Sequence, residues 1–124
     1  MLGIGTDIIE IERVKGVWDR QGYRFAERIL TPVELSRMER KTYPWRYLAK
    51  RFAAKEAISK AFGCGIGAEL GWHDLEVDAS SKGSPLVVLS PSAQSLALAR
   101  CGLRVLLSLS DERAYAVAFA VLVP

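Results

Sequence analysis

The stretch Trp45–Gly63, WRYLAKRFAAKEAISKAFG, constrains this chain more than any other, because it runs from Trp45 to Phe62 without a proline or an internal glycine. Pro44 precedes it, strong helix formers fill it, and Gly63 follows the last apolar pair where a left-handed helix end is expected. One long helix is predicted. At four-residue spacing Phe52, Glu56 and Lys60 fall in one column, while Tyr47, Leu48, Ala54, Ile58, Ala61 and Phe62 supply a broad apolar surface. Glu56 therefore stands at the edge of a buried face, with Arg51, Lys55 and Lys60 as neighbours. Two readings are open: ordinary helix ion pairs, each giving about 0.2–0.5 kcal/mol, or one half of a site whose other half lies elsewhere in the chain.

A partner for Glu56 is offered near the start. Leu2 to Ile9 reads as a strand with Leu2, Ile4, Thr6 and Ile8 on one side and Gly3, Gly5, Asp7 and Ile9 on the other. Glycine inside a strand weakens it and marks a place where a ligand or another backbone comes close. Gly3 and Gly5 beside Asp7 thus suggest an open face belonging to a site more than a packed core, the plainer alternative being that Asp7 caps the helix that follows.

From Glu10 to Leu30 the pattern is helical with a break at Gly22, and Arg13, Arg20, Arg24 and Arg28 recur among Trp18 and Phe25. Arg24 and Arg28 share one helix face. Thr31, Pro32 and Glu34 form a capping box with proline at the first helical position, opening a short helix that runs to about Lys41. After the long helix comes the glycine-rich turn CGIGAELG, whose backbone amides could approach a phosphate. Strands are expected in HDLEVDA and LVVL, then a helix capped by Ser90 and Pro91, then a hairpin of RVLLSLS and AYAVAFAVLV around Asp111–Arg113. The expected fold class is α+β, a long central helix packed on a mostly antiparallel sheet, with residues 1–124 forming a single domain.

Charge narrows the function. Residues 1–60 carry 13 Lys and Arg against 8 Asp and Glu, while residues 61–124 carry 4 against 6. A basic first half points to a polyanionic partner. No apolar run approaches the roughly 20 residues that cross a bilayer, and MLGIGTDIIE lacks the pattern of a signal peptide, so the expected address is the cytoplasm. Cys64 and Cys101 are read as free thiols, and the single His73 cannot anchor a histidine-based metal site.

Asp7 and Glu56 are the acids that their surroundings do not explain, and they converge if the strand packs on the helix. Two carboxylates are too few to cage calcium but suit magnesium, which keeps waters and takes further ligands from substrate phosphates. Lys60 and Arg51 would then serve as phosphate ligands. The chemistry implied is in-line displacement at phosphorus.

Taken together, GIGTDIIEIERV at 3–14, RFAERILTPVE at 24–34, RFAAKEAISKAFGCGIG at 51–67 and SLSDERAYAVA at 108–118 resemble the holo-acyl-carrier-protein synthase family, the 4′-phosphopantetheinyl transferases of bacterial fatty-acid synthesis. The resemblance spans nearly the whole chain, in the family's block order. It implies a single phosphopantetheinyl transferase domain that moves the phosphopantetheine arm of coenzyme A to a serine of apo acyl carrier protein, releases adenosine 3′,5′-bisphosphate and uses Mg²⁺. By the same resemblance Asp7 and Glu56 are the metal ligands and, with Lys60, the catalytic residues. Arg51, Lys60, Gly63, Gly65, Gly83, Pro85 and Ser108 match positions that bind coenzyme A. Arg13, Arg20, Arg24, Phe25 and Arg28 match the surface that docks the acidic carrier protein. The family resemblance also implies a homotrimer with active sites between subunits.

Two positions depart from the family pattern. Leu106 stands where a histidine is common, and Gly83–Ser84–Pro85 replaces the usual Gly-Lys-Pro turn, so coenzyme A binding loses two positive groups; activity is still expected because the metal pair is intact. The competing reading is a non-catalytic module that binds acidic proteins or nucleic acid through its arginine face. Against nucleic acid, the aromatics form no stacking ladder and no reader motif.

Overall fold

Glycine decides how the first strand meets the long helix. The computed structural model describes residues 2–124. In chain order it comprises β1 (Gly3–Glu10), α1 (Ile11–Gln21), α2 (Tyr23–Ile29), α3 (Pro32–Met38), α4 (Pro44–Phe62), β2 (Leu75–Ala79), β3 (Pro85–Leu89), α5 (Pro91–Ala99), β4 (Arg104–Asp111) and β5 (Tyr115–Val123). β1, β5 and β4 form one antiparallel sheet in that spatial order, and β2 and β3 pair as a second, smaller one. The α+β class expected from the sequence is observed.

α4 begins at Pro44, one residue earlier than predicted, because proline at a first helical turn gives up an amide that has no intrahelical acceptor. It ends at Gly63, whose φ of 79° is the left-handed cap that glycine adopts without strain. β1 lies along α4 with Gly3 and Gly5 against it. A methyl group at Gly5 would collide with the Ala57 carbonyl oxygen, and one at Gly3 with that of Ala61. The expectation of an open, ligand-facing surface at these glycines is therefore corrected: what comes close is the backbone of a helix. Asp7 follows on the same face, so the packing delivers its carboxylate to α4. The other face of β1 carries the branched residues outward, with Ile4 52% and Ile8 63% exposed.

α4 is buried over most of its circumference, from Leu48 and Ala49 through Ala53, Ala54, Ala57 and Ile58 to Phe62. Lys55 belongs to this interior and not to the rim beside Glu56, so it takes no part in the helix ion pairing that is one of the two readings of Glu56. Its Nζ donates to Glu34 Oε1 at 2.7 Å, to the Ile29 carbonyl at 2.7 Å and to the Trp72 carbonyl at 3.0 Å, which uses all three protons. Glu34 in turn accepts from the amides of Thr31 at 2.9 Å and Val77 at 2.8 Å. The predicted capping box of α3 is present, and its glutamate also anchors α4 and β2. Burial lowers the Lys55 pKa while the Glu34 charge opposes that shift.

Gly22 separates α1 and α2 as expected, with φ of 56°, and Ser90 caps α5. Arg46 joins the start of α4 to the β4–β5 hairpin by donating to the Glu112 carbonyl at 2.6 Å, the Arg113 carbonyl at 3.1 Å and Asp111 Oδ2 at 3.2 Å.

Replacing Gly5 by alanine should cost about 1–3 kcal/mol, because the collision is with backbone that cannot step aside. Gly16→Ala in α1, where an added Cβ would meet only Arg20 Nη1 at 3.6 Å, should be neutral or stabilising by about 0.5–1 kcal/mol. Urea unfolding of the two variants checks this, and equal midpoints would refute the packing argument.

Candidate active site

Because β1 is held against α4, residues 49 positions apart in sequence share one cleft. Asp7 on β1 and Glu56 on α4 both line a cavity of about 390 Å³, together with Arg13. Its remaining wall is apolar and comes from Ile8 and Ile9 of β1, Val14 and Val17 of α1, Phe25 of α2 and Phe52 of α4. Phe52 and Glu56 thus face the cleft from successive turns, as their column predicted. Lys60, one turn further, donates to Asp7 Oδ1 at 3.3 Å and to the Thr6 carbonyl at 2.9 Å.

The electrostatics of the pair are unbalanced. The Glu56 carboxyl is pushed above the usual carboxylate range by burial first and by the charge of Asp7 second, with Lys60 pulling the other way. Two acids in a partly dry cleft, relieved by one exposed ammonium, form a hard-oxygen donor set that a divalent cation would stabilise. Among the described residues no group of three or more His, Cys, Asp or Glu side chains could cage a metal ion. The donor set therefore fits magnesium, which completes its shell with water and phosphate oxygens, and does not fit calcium or structural zinc.

Arg51 does not join this cleft. Five residues before Glu56 is about 140° around the helix axis, and Arg51 instead lines a separate cavity of about 210 Å³ with Gly83, Pro85, Lys50, Asp78, Ala79, Leu109 and Asp111. Arg51, read from the sequence as a phosphate ligand beside Lys60, therefore lines a different cavity of this chain from the carboxylate pair. Gly63 and Gly65 lie in neither cleft's lining; they take φ of 79° and 70° just beyond α4, where the amides of Cys64 and Gly65 donate to the Ser59 carbonyl at 3.3 and 3.2 Å. Ser108 sits on the outward face of β4 opposite Phe119, while Leu109 faces the smaller cavity. Leu106 is also outward, beside Val121 and 48% exposed. Ser84 is tied into the β2–β3 turn, its hydroxyl 2.7 Å from that of Ser80.

The arginine face is where the sequence suggested. Arg13 and Phe25 line the larger cleft, and Arg20, Arg24 and Arg28 are exposed on α1 and α2 beside it. His73 and the two cysteines stay outside: His73 Nε2 is 2.7 Å from the Glu27 carbonyl oxygen, and both thiols are free. The apolar wall from Val14, Val17 and Ile9 escaped the sequence reading, since nothing in a helical period says which of two apolar faces a neighbouring strand leaves uncovered.

Comparison with known proteins bears directly on this arrangement. A family model described as the 4′-phosphopantetheinyl transferase superfamily matches residues 3–120. The holo-[acyl-carrier-protein] synthase of Vibrio parahaemolyticus is 48% identical over 122 residues, covering 98% of this chain and 97% of that protein. The crystal structure of holo-[acyl-carrier-protein] synthase from Neisseria meningitidis superposes with a TM-score of 0.93 at 38% identity, covering 98% of both chains. That of the Helicobacter pylori synthase in complex with coenzyme A superposes with a TM-score of 0.85 at 34% identity, covering 96% of this chain and 98% of that one.

Proposed function

The chain belongs to the 4′-phosphopantetheinyl transferase superfamily, and from that premise we infer that it is a holo-[acyl-carrier-protein] synthase, transferring phosphopantetheine from coenzyme A to a serine of apo acyl carrier protein. The observation that carries the reading is the shared cleft of Asp7 and Glu56 with Lys60 hydrogen-bonded to Asp7. Asp7 and Glu56 would hold Mg²⁺, which when bound offsets the charge of the pyrophosphate under attack. Lys60, released from Asp7, donates to the oxygens of the phosphoryl group being transferred. The serine Oγ attacks the phosphorus that bears the pantetheine arm; the bond from that phosphorus to the bridging oxygen breaks, adenosine 3′,5′-bisphosphate leaves with that oxygen, and the serine hydroxyl proton is taken up by the departing phosphate. Ile9, Val14, Val17, Phe25 and Phe52 give the cleft an apolar wall, which would disfavour water, the competing nucleophile, once substrates fill it. A cytoplasmic location and a role in fatty-acid synthesis belong to the same reading.

Incubated with coenzyme A, Mg²⁺ and an apo carrier protein, the chain should add the mass of phosphopantetheine to the carrier, despite Leu106 and Ser84. Asp7→Ala and Glu56→Ala should each lower turnover at least 100-fold with unchanged circular dichroism, and chelation by EDTA should do the same to the parent. Full activity in both variants would remove the pair from the mechanism.

Arg13, Arg20, Arg24, Phe25 and Arg28 form the proposed carrier surface. The support is continuity: Arg13 and Phe25 belong to the wall of the cleft, and Arg24 and Arg28 extend that edge into solvent one helical turn apart. Arg24→Ala and Arg28→Ala should raise KM for the carrier several-fold with little change for coenzyme A, and raising the salt should mimic them. Carrier binding that is indifferent to salt would argue against an ionic surface.

Assembly as a homotrimer is part of the proposal, because two features remain incomplete in one chain. Arg51, Gly83 and Pro85 line a cleft apart from the carboxylate pair, and a neighbouring copy would bring the two sets of groups together around one coenzyme A. The outward face of the three-stranded sheet is apolar, with Ile4 aligned on Val121 and Leu106, and Thr6 on Phe119. Sedimentation should give three times the chain mass, and Phe119→Lys should yield a folded monomer that no longer transfers. A monomeric parent with full activity would overturn the shared-site reading.

A further inference from the structure

The cations around the smaller cleft are mostly neutralised from within the chain. Arg37 is paired with Asp78, Arg46 with Asp111 at 3.2 Å, and Lys50 lies 3.9 Å from Asp111. Arg51 is different. Among the described residues it has no carboxylate partner, although Asp78 and Asp111 line the same cleft. Its Nε is buried without a hydrogen-bond partner, and its Cζ lies 4.2 Å from the centroid of the Tyr47 ring.

Tyr47 is itself only 5% exposed, and its hydroxyl also lacks a partner. Orphaned buried groups are rare, and a pair of them in contact side chains needs an explanation. We propose that Tyr47 is a positioning residue for Arg51, holding the guanidinium by an aromatic face in place of an acid so that its charge stays available to the anionic nucleotide end of coenzyme A. The inference rests on the coenzyme A-binding reading of Arg51 given above.

The physical argument compares two ways of fixing an arginine. A carboxylate would hold it by a bidentate pair and cancel its field. A neutral ring attracts it through the quadrupole and leaves the net charge untouched. The phenol is uncharged at neutral pH, and burial pushes its pKa further up, with Arg51 as the largest opposing influence. Packing on a flat face also removes side-chain freedom before the ligand arrives, so the ordering cost falls outside the binding step. Face packing leaves Nε without a partner, and the Tyr47 hydroxyl lies near enough to Arg51 for the guanidinium to act on the phenol as well as on its ring.

A series at one position tests this without changing volume. Tyr47→Phe keeps an electron-rich face, and phenylalanine fluorinated at three ring positions, installed at the same site, keeps the shape while removing most of the quadrupole. KM for coenzyme A should stay at the parent value for Tyr47→Phe and rise roughly two- to tenfold for the fluorinated ring, with kcat and the KM for the carrier unchanged. Arg51→Ala should raise the same KM further and abolish the difference between the two rings. A flat series in enzymes that still respond to Arg51→Ala overturns the role of Tyr47. No response to Arg51→Ala refutes the reading of Arg51, and an inactive parent refutes the transferase reading itself.

Discussion

The contact on which the rest of the structure depends is backbone against backbone. Gly3 and Gly5 let β1 lie on α4 so closely that the carbonyl oxygens of Ala57 and Ala61 occupy the places where side chains would stand. Alanine at 57 and 61 is the matching concession from the helix. Their distance is set by main-chain van der Waals radii, which admit little adjustment. Asp7 and Glu56 inherit that spacing. Two carboxylates proposed to share one small cation would profit from such a fixed separation more than from adaptable side-chain packing.

A second constraint acts at the far side of the helix. Lys55 and Glu34 gather the ends of α2, the start of α3, the turn at Trp72 and β2 around the middle of α4. A buried ion pair is weak evidence for stability, since desolvation offsets much of the attraction. Its value here is specification: each proton of Lys55 has one acceptor, so the short elements can dock in one arrangement. The α4 helix is consequently gripped from two sides, by glycine packing along β1 and by a saturated polar cluster along α3 and β2. Glu56, between them, sits on the narrow strip that neither grip covers.

Much of this was legible in the residues. The helix from Trp45 to Gly63, the capping box at Thr31 and Glu34, the break at Gly22 and the cap at Ser90 are encoded by local rules, and local rules survive folding. The column of Phe52, Glu56 and Lys60 was legible for the same reason. What the residues could not disclose was which side of β1 turns inward, because two glycines are compatible with a ligand or with a helix. Nor could they pair Lys55 with Glu34, 21 positions away, since a lysine in an alanine-rich helix usually faces water. The division of Arg51 from Asp7 was hidden similarly: a helical period fixes angles around the axis, but only the neighbouring elements decide which angles open onto the same cleft.

β1 also divides its positions into two alphabets. At its inward positions 3 and 5 the vocabulary has a single letter, because any larger residue must displace a helix. At its outward position 4 the surroundings within the chain exert almost no selection on shape. A change of that outward letter would alter the exposed sheet face while leaving Asp7 where it is, so surface and cleft can diverge along alternate residues of one eight-residue segment.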